Sequence, residues 1–328
     1  MQAFEYASPS TKEQAAGLLG SRWEDAAVLA GGTDLMSSMK DNLLAPRRLV
    51  DIKSIRELGG IQYNASSGLR LGALATLEEL LAHAQVRKEY PGIAEAAAGI
   101  TSPQMRNRGT VGGDLCQRPR CWYYRAGYGL LAKDEEGKPL VPTGENRYHA
   151  ILGNSGPAYF VNPSSLAPVL IALGAKARLY SAAGPRDVLL EEFFVIPKTA
   201  ETRENVLKPN EILMEILVPA GSWRTSTYEI RQKEALDWPL VAAAVAVRLK
   251  GGRIESARVT LGHVAPIPWR AVEAEKVLAG KTITAETALE AGQAAVSQAH
   301  PLSQNGYKVQ LARVAVKRAL LQASQGGA

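Results

Sequence analysis

Short apolar runs and capped helical segments alternate along most of the chain. Runs typical of buried strands cover 26–30, 49–52, 69–72, 175–180 and 211–218. Capping boxes predict helix starts at Ser10-Thr11-Lys12-Glu13 and Thr76-Leu77-Glu78-Glu79. Pro91 predicts a further helix over 92–99, and Ser164 and Gly174 bound another. Tyr159-Phe160-Val161 is also expected to be regular structure.

Beyond Gly221 the pattern changes to longer strands followed by helices. Strand-like runs cover 228–233, 240–249 and 254–264, with a hairpin turn at Gly251-Gly252. Helical patterns follow over 271–278, 285–298 and 309–322. Strands followed by helices indicate a separate α+β domain, so we expect domains at 1–221 and 222–328.

Composition indicates an ordinary globular protein. The chain has 328 residues, of which 46% are hydrophobic and 21% charged. We expect no membrane span, since no apolar run reaches the roughly 18 residues that one needs, and no secretory signal at the start of the chain. Two cysteines cannot form a disulfide framework, so a cytoplasmic protein is expected, with export on a partner's signal left open.

Charge and histidine placement exclude several functions. The net charge is +6, but lysine and arginine are scattered, which disfavours a nucleic-acid surface. The four histidines lie outside Gly-x-Ser-x-Gly and His-Glu-x-x-His contexts. We therefore predict no catalytic nucleophile and no metal site on this chain.

Two segments with adjacent glycines stand out, Ala30-Gly31-Gly32-Thr33-Asp34-Leu35 and Gly109-Thr110-Val111-Gly112-Gly113-Asp114. Glycine tolerates positive φ, has no Cβ, and lets successive backbone N–H groups form a concave anion site. Neither segment has the Gly-x-Gly-x-x-Gly or Gly-Lys-Ser/Thr pattern of other nucleotide sites. Two such turns, each with a threonine hydroxyl, predict one diphosphate held from two sides, as in a dinucleotide cofactor.

Asp34 places a negative charge beside this predicted anion site. One interpretation is that its carboxylate faces away and holds the turn. The other is that it accepts a hydrogen bond from a ribose hydroxyl.

Three ordered motifs resemble the FAD-binding medium subunits of the molybdenum hydroxylases, the family of xanthine dehydrogenase, carbon monoxide dehydrogenase and aldehyde oxidoreductase. Residues 28–36 resemble the first flavin-binding segment of that family, 102–113 the second, and 261–271 its second domain. The resemblance covers nearly the whole chain. It implies an α+β fold, with an FAD domain of the vanillyl-alcohol-oxidase (PCMH) type in two subdomains, about 1–57 and 58–221. It also implies a C-terminal α+β domain like that of the carbon monoxide dehydrogenase flavoprotein.

The resemblance also implies which residues bind FAD. The first segment would hold the pyrophosphate and adenosine side, and the second segment the pyrophosphate from the other side. Ile100 would be an apolar contact and Leu213 would touch the adenine end. The predicted set is Val28, Leu29, Ala30, Gly31, Gly32, Thr33, Asp34, Leu35, Ile100, Thr101, Gly109, Thr110, Gly112, Gly113, Asp114, Ser165, Leu213, Arg231 and Lys233.

One residue of this set departs from the family pattern, and two others have an alternative interpretation. Ser165 stands where many relatives have aspartate, and its hydroxyl can bond adenosine or ribose without bringing a charge. The run that contains Arg231 and Lys233 matches a basic strand of the family near the flavin. Either side chain would neutralise the negative charge of reduced flavin. The alternative for that run is an ordinary exposed strand edge.

The arginine- and aromatic-rich segment 118–147 breaks the regular pattern. It resembles a branch containing bacterial aldehyde oxidoreductase and hydroxybenzoyl-CoA reductase flavoprotein subunits, in which some members carry a [4Fe–4S] cluster on four cysteines. Cys116 and Cys121 are too few for that cluster, so we predict none on this chain. We expect both to be structural or vestigial; a metal site with His149 is the alternative. The segment would be a docking surface or would stack near the flavin.

The predicted function is an FAD-binding electron-transfer subunit with no catalytic residues of its own. The resemblance implies a large molybdenum-cofactor subunit, a small [2Fe–2S] subunit that delivers electrons, and an external electron acceptor. A stand-alone FAD-dependent oxidase of the same fold is the alternative. A nucleic-acid-binding module built on Arg118–Arg125 is a second rival, which leaves both glycine segments unexplained.

Overall fold

The computed structural model of the protein describes residues 1–233 and 236–325, and these contain three β-sheets with flanking helices. The α+β class predicted from the sequence is therefore confirmed. Each sheet contributes to an apolar core, and a smaller cluster lies beneath the irregular segment that follows residue 117.

The first sheet is parallel and has the order β1-β3-β2. Its unit comprises β1 (Glu5–Ala7), α1 (Lys12–Leu18), β2 (Ala27–Leu29), α2 (Leu35–Lys40) and β3 (Arg48–Asp51). Val50 and Ile52 pack against Ala15 and Leu58 in its core. Because β2 leads directly into the first glycine-containing segment, this small core fixes that segment in place.

Helix α1 starts one residue later than predicted. Thr11, not Ser10, is the N-cap, and its hydroxyl accepts the Gln14 N–H. Both Ser10-x-x-Glu13 and Thr11-x-x-Gln14 fit the capping-box pattern. Only the N-cap bond of the second pattern forms, since the Gln14 side chain accepts from Ser10 rather than from the Thr11 N–H, and Glu13 pairs with Lys12.

The second sheet has the order β4-β5-β8-β6-β7 and is antiparallel. Its strands are β4 (Ile61–Asn64), β5 (Gly68–Gly72), β6 (Lys176–Ser181), β7 (Gly184–Leu189) and β8 (Ile212–Val218). Its helices are α3 (Leu77–Ala82), α4 (Ala84–Glu89), α5 (Pro91–Gly99), α6 (Pro103–Arg108), α7 (Val111–Cys116), α8 (Trp122–Arg125), α9 (Ala167–Ala172) and α10 (Leu190–Phe193). The capping box at Thr76 and the helix start at Pro91 are confirmed.

The third sheet is antiparallel, in the order β12-β11-β10-β9, and packs against C-terminal helices. Its elements are β9 (Arg224–Arg231), β10 (Pro239–Lys250), β11 (Arg253–Gly262), β12 (Trp269–Arg270), α11 (Val272–Leu278), α12 (Ala285–Ala295) and α13 (Tyr307–Gln325). The predicted hairpin at Gly251-Gly252 joins β10 to β11, so this prediction is confirmed.

Strand β9 joins the third sheet to helix α5 of the second unit. The Gly92 N–H donates to Thr225 Oγ1 at 3.0 Å, and the Thr227 hydroxyl donates to the Gly92 carbonyl at 2.9 Å. A Cβ at Gly92 would lie 3.1 Å from the Ser226 nitrogen, so glycine permits the close approach. The two parts of the chain on either side of residue 221 are therefore in direct contact.

Between α7 and α9 the chain is mostly irregular, as expected, with α8 as a single helical turn. The prediction of regular structure at 159–161 is wrong. Phe160 is buried against Tyr124, Leu130 and Leu131. The apolar character of this run therefore reflects side-chain packing rather than strand pairing.

Candidate cofactor site

The two glycine-containing segments lie against each other. A Cβ on Gly31 would overlap the carbonyl oxygen of Arg108, the residue before Gly109. Gly32 has φ of +76°, where glycine is favoured, and it carries the chain from β2 into α2. Gly31 thus permits close packing and Gly32 permits the turn.

The second segment differs from its prediction, because it is the first turn of helix α7 rather than an open anion-binding turn. Thr110 is the N-cap, and its hydroxyl accepts the Gly113 N–H at 3.0 Å. The N–H groups of Val111 and Gly112 donate to the carbonyls of Ala75 and Ala73, at 2.9 and 2.8 Å. These three amides are already satisfied by the protein.

The first segment retains free donors. Within the described residues, the backbone N–H groups of 31–35 have no hydrogen-bond acceptor. Unpaired backbone donors are uncommon in folded proteins, and a run of them beside a cavity fits an anionic ligand. The donors for a diphosphate therefore lie on one side of the junction.

Two cavities meet at this junction and share Asp34, Thr110 and Gly113 in their walls. Cavity 1 has a volume of about 370 Å³ and lies on the side of the first sheet. Cavity 2 has a volume of about 330 Å³ and lies towards α6 and the start of β10. Each has the size of a small-molecule pocket, and together they form one cleft across the two segments.

Most of the predicted residues line this cleft. Those in cavity 1 are Val28, Ala30, Asp34, Leu35, Thr110, Gly112, Gly113 and Leu213. Those in cavity 2 are Thr33, Asp34, Ile100, Thr101, Gly109, Thr110, Gly113, Asp114 and Ser165. Leu29, Gly31 and Gly32 belong to the adjoining backbone rather than to either lining.

Arg231 and Lys233 are not brought to the cleft. The Arg231 guanidinium is hydrogen-bonded to the Glu229 carboxylate and to the carbonyl of Gly99. Lys233 is exposed. Neither side chain lines cavity 1 or cavity 2, so other cations are closer to the site.

Asp34 holds the segment after α7 in place. Its carboxylate accepts the Arg118 backbone N–H at 2.8 Å and a guanidinium N–H of Arg125 at 2.8 Å, and Arg120 lies 2.9 Å away. These partners give Asp34 the structural role of the first interpretation, but the residue also lines both cavities, and its bond to a ribose hydroxyl stays a prediction.

Asp114 similarly ties α7 to the start of α9. Its buried carboxylate accepts the Ser164 hydroxyl at 2.5 Å and the Leu166 N–H at 3.0 Å. Burial raises the pKa of Asp114, and these hydrogen bonds oppose that rise. Both acidic residues of the glycine-containing segments therefore have structural partners.

Two arginines that the sequence did not assign to the site, Arg118 and Arg203, line cavity 1 together with the carboxylates of Glu24, Asp34 and Glu211. The Arg118 guanidinium lies 2.6 Å from the buried Glu204 carboxylate. Arg203 lies over the Trp23 ring, 4.0 Å from its centroid. Burial lowers the pKa of Arg203 to about 10, so it remains a cation at neutral pH. The arginine-rich segment 118–147 is a sequence signal that could have pointed to Arg118. No local sequence feature marks Arg203.

Cys116 and Cys121 are both free thiols. Burial raises the pKa of both, that of Cys116 to about 12. Cys121 Sγ lies 3.2 Å from His149 Nε2, which makes a pair rather than a metal ligand set. Within residues 1–233 and 236–325, no group of three or more His, Cys, Asp or Glu side chains is arranged to hold a metal.

Comparison with known proteins identifies the family. Residues 2–221 match the model of the FAD-binding domain in molybdopterin dehydrogenase, and residues 226–323 match the CO dehydrogenase flavoprotein C-terminal domain. The chain belongs to this flavoprotein family. The predicted family and its FAD-binding oxidoreductase subunits are thereby confirmed.

Members of this flavoprotein family resemble the chain over nearly its full length. The FAD-binding subunit of an aldehyde oxidoreductase from Escherichia coli is 31% identical, covering 98% of this chain and 99% of that one. The carbon monoxide dehydrogenase medium chain of Hydrogenophaga pseudoflava is 32% identical, with 97% and 96% covered. A solved structure of carbon monoxide dehydrogenase from that organism superposes with a TM-score of 0.76 at 31% identity, covering 100% and 99%. Among the described helices of this flavoprotein, none is long and apolar enough to cross a membrane.

Proposed function

We propose that the chain binds one FAD across the junction of the two glycine-containing segments and is the electron-transfer subunit of a molybdenum hydroxylase. The observation that carries this proposal is the contact of Gly31 with Arg108 at the point where cavities 1 and 2 meet. That contact puts backbone from both segments beside one continuous cleft.

The residues around the cleft fit a dinucleotide. The free amides of 31–35 supply donors for the pyrophosphate, while α7 supplies close backbone at Gly112 and Gly113. This revises the expectation that both segments donate. Arg203 offers positive charge to any negative charge that develops in cavity 1, whereas the charge of Arg118 is already balanced by Glu204.

Bound FAD would supply the redox chemistry, and the chain's own residues bind and orient it. We propose that the electrons come from a [2Fe–2S] subunit, that a molybdenum-cofactor subunit carries the substrate pocket, and that an external acceptor takes the electrons. The support is the near full-length similarity to medium and FAD-binding subunits. We further propose a cytoplasmic complex without nucleic acid, which rests on composition alone.

A visible absorption spectrum tests the proposal. The purified chain should take up one FAD and show no hydroxylase activity by itself. A colourless chain that does not take up added FAD contradicts it. Co-purification with a molybdenum subunit and an iron–sulfur subunit supports the electron-transfer role, whereas oxidation of a substrate by the isolated FAD-loaded chain supports a stand-alone oxidase.

A further inference from the structure

A third cavity, cavity 3, adjoins cavity 2 on the side of the third sheet and has a volume of about 220 Å³. The two share walls formed by Arg120, Asp237, Trp238 and Pro239. Segment 121–163, Gln232, β10, the residue after β11 and helix α13 complete the lining. The space is many times larger than an isolated ordered water requires. It lies outside the junction of the glycine-containing segments.

Two buried histidines line cavity 3, and each has a ring nitrogen without a partner. These atoms are His149 Nδ1 and His263 Nε2, and both residues are only 3% exposed. Neither atom has a hydrogen-bond partner within 1–233 and 236–325. Buried polar atoms without partners are exceptions in folded proteins, so two that line one cavity point to a missing partner inside it.

The two histidines are uncharged at neutral pH, because burial lowers the pKa of His149 to about 4 and that of His263 to about 3. A neutral imidazole carries one N–H donor and one acceptor nitrogen. The other nitrogen of His149 contacts the Cys121 thiol. The unpartnered nitrogens therefore suit a ligand with ordinary hydrogen-bonding groups rather than a strong charge.

Each charged group that lines cavity 3 has a partner. The Asp237 carboxylate accepts the backbone N–H groups of Lys233 and Trp238, at 3.2 and 2.9 Å. The Lys308 ammonium donates to the carbonyls of Tyr148, His149 and His263, at 3.2, 3.2 and 2.6 Å, which uses all three of its protons. Arg120 lies against Asp34 and over the Trp238 ring. Within the described residues Lys308 therefore has no donor left for an anionic ligand, and Arg120, whose charge is paired with Asp34, keeps only its Nε–H without a partner.

The remaining walls are largely aromatic and apolar. Trp122, Tyr148 and Trp238 lie at the exposed side, with exposed fractions of 37, 39 and 43%, and Phe160 is buried. Aromatic rings stack on, or meet edge-on, a planar ligand. The exposed rings mark the side from which a ligand enters.

We propose that cavity 3 binds an uncharged planar aromatic compound of one or two rings that carries a hydrogen-bond donor and an acceptor. The aromatic walls hold its faces, and the unpartnered nitrogens of His149 and His263 pair with its polar edge. This site is additional to the FAD cleft, which it adjoins along the walls shared with cavity 2.

The test uses the FAD-loaded chain, so that the cofactor cleft is filled, and follows 5-fluoroindazole by ¹⁹F NMR. Indazole has one N–H donor and one acceptor nitrogen, while indene has the same bicyclic shape without either. We expect saturable line broadening that indazole reverses and indene does not. His263→Phe removes a pairing nitrogen and Val161→Phe fills the cavity; each should weaken binding by about tenfold or more.

His83→Phe is the matched control. His83 also has a buried Nδ1 without a partner in the described chain, but it lies at the start of α4, outside cavity 3. Binding should change less than twofold in this variant. Absence of saturable binding to the wild type, displacement by indene as well as by indazole, or unchanged binding in a folded Val161→Phe variant each overturns the proposal.

Discussion

Gly31 lies so close to the backbone of Arg108 that a Cβ at residue 31 would overlap the Arg108 carbonyl oxygen. This contact joins the first parallel sheet to helix α6 and thence to α7, although the sequence places these elements far apart. Cavities 1 and 2 meet beside it. The geometry of the cleft therefore requires a residue without a Cβ at position 31.

Gly31→Ala should separate the two segments. The expected loss is about 1–3 kcal/mol of unfolding free energy, as for other overpacked sites, together with at least a tenfold loss of FAD affinity. Thermal unfolding and FAD titration measure these effects. Gly17→Ala is the control, since a Cβ there meets nothing within 4 Å. Unchanged FAD affinity in Gly31→Ala would show that the junction does not hold the cofactor.

Thr110 and Thr284 offer a matched pair of N-caps. Each hydroxyl accepts the amide three residues on, at 3.0 Å for Thr110 and 3.1 Å for Thr284. Replacing either by valine should cost about 1 kcal/mol of stability. Thr110 lines both cavities, so Thr110→Val alone should also weaken FAD binding. Equal FAD affinity in the two variants would contradict a role for Thr110 at the site.

The Asp34–Arg125 ion pair should contribute measurably to stability. Its atoms lie 2.8 Å apart, and the side chains are 16 and 17% exposed. A double-mutant cycle with Asp34→Asn and Arg125→Met should give a coupling energy of about 0.5–3 kcal/mol. The Lys281–Glu290 pair, 46 and 55% exposed, should give about 0–1 kcal/mol. Similar coupling in both pairs would remove the anchoring role assigned to Asp34.

Stability should fall in mild acid because of His149 and His263. Burial lowers their pKa to about 4 and about 3, with a further contribution from the Lys308 charge. Between pH 6.5 and 4 the unfolded chain binds these protons and the folded chain does not. The folded state therefore loses up to about 1.4 kcal/mol per pH unit for each histidine as pH falls.

Glu229 acts in the opposite direction over part of this range. Burial raises its pKa to about 7, so the folded chain keeps a proton that the unfolded chain releases between pH 4.5 and 7. Denaturant unfolding at a series of pH values should give a shallower acid dependence in His149→Phe than in the wild type. His300→Phe, at an exposed site, should follow the wild type. The same slope in all three proteins would exclude the assignment to His149.

Local signals predicted local structure well. Thr76 and Glu79 form both bonds of the predicted capping box, and Gly251-Gly252 forms the predicted hairpin. The glycine segments and most of the predicted cofactor residues come together in one cleft. These features depend on residue type and short spacing, which a sequence displays directly.

Local sequence signals did not predict the tertiary contacts. The amide of Gly112 is taken by the carbonyl of Ala73, at the end of β5, and only the folded sheet shows this. Arg203 reaches Trp23 across the fold, without any periodicity that marks the pair. Arg231 matches a family motif but is paired with Glu229. In each case a distant partner decides what the residue does.

Hydrogen–deuterium exchange of the chain with and without FAD tests whether FAD lies across the junction of the two glycine-containing segments. FAD should slow amide exchange in 31–35, whose N–H groups have no acceptor among the described residues, and at the same time in the cleft-lining parts of 109–118 and 203–213. Exchange should change little in α12, which does not line the cleft. Protection confined to one glycine-containing segment, or located in the C-terminal helices, would contradict the placement of FAD across the junction.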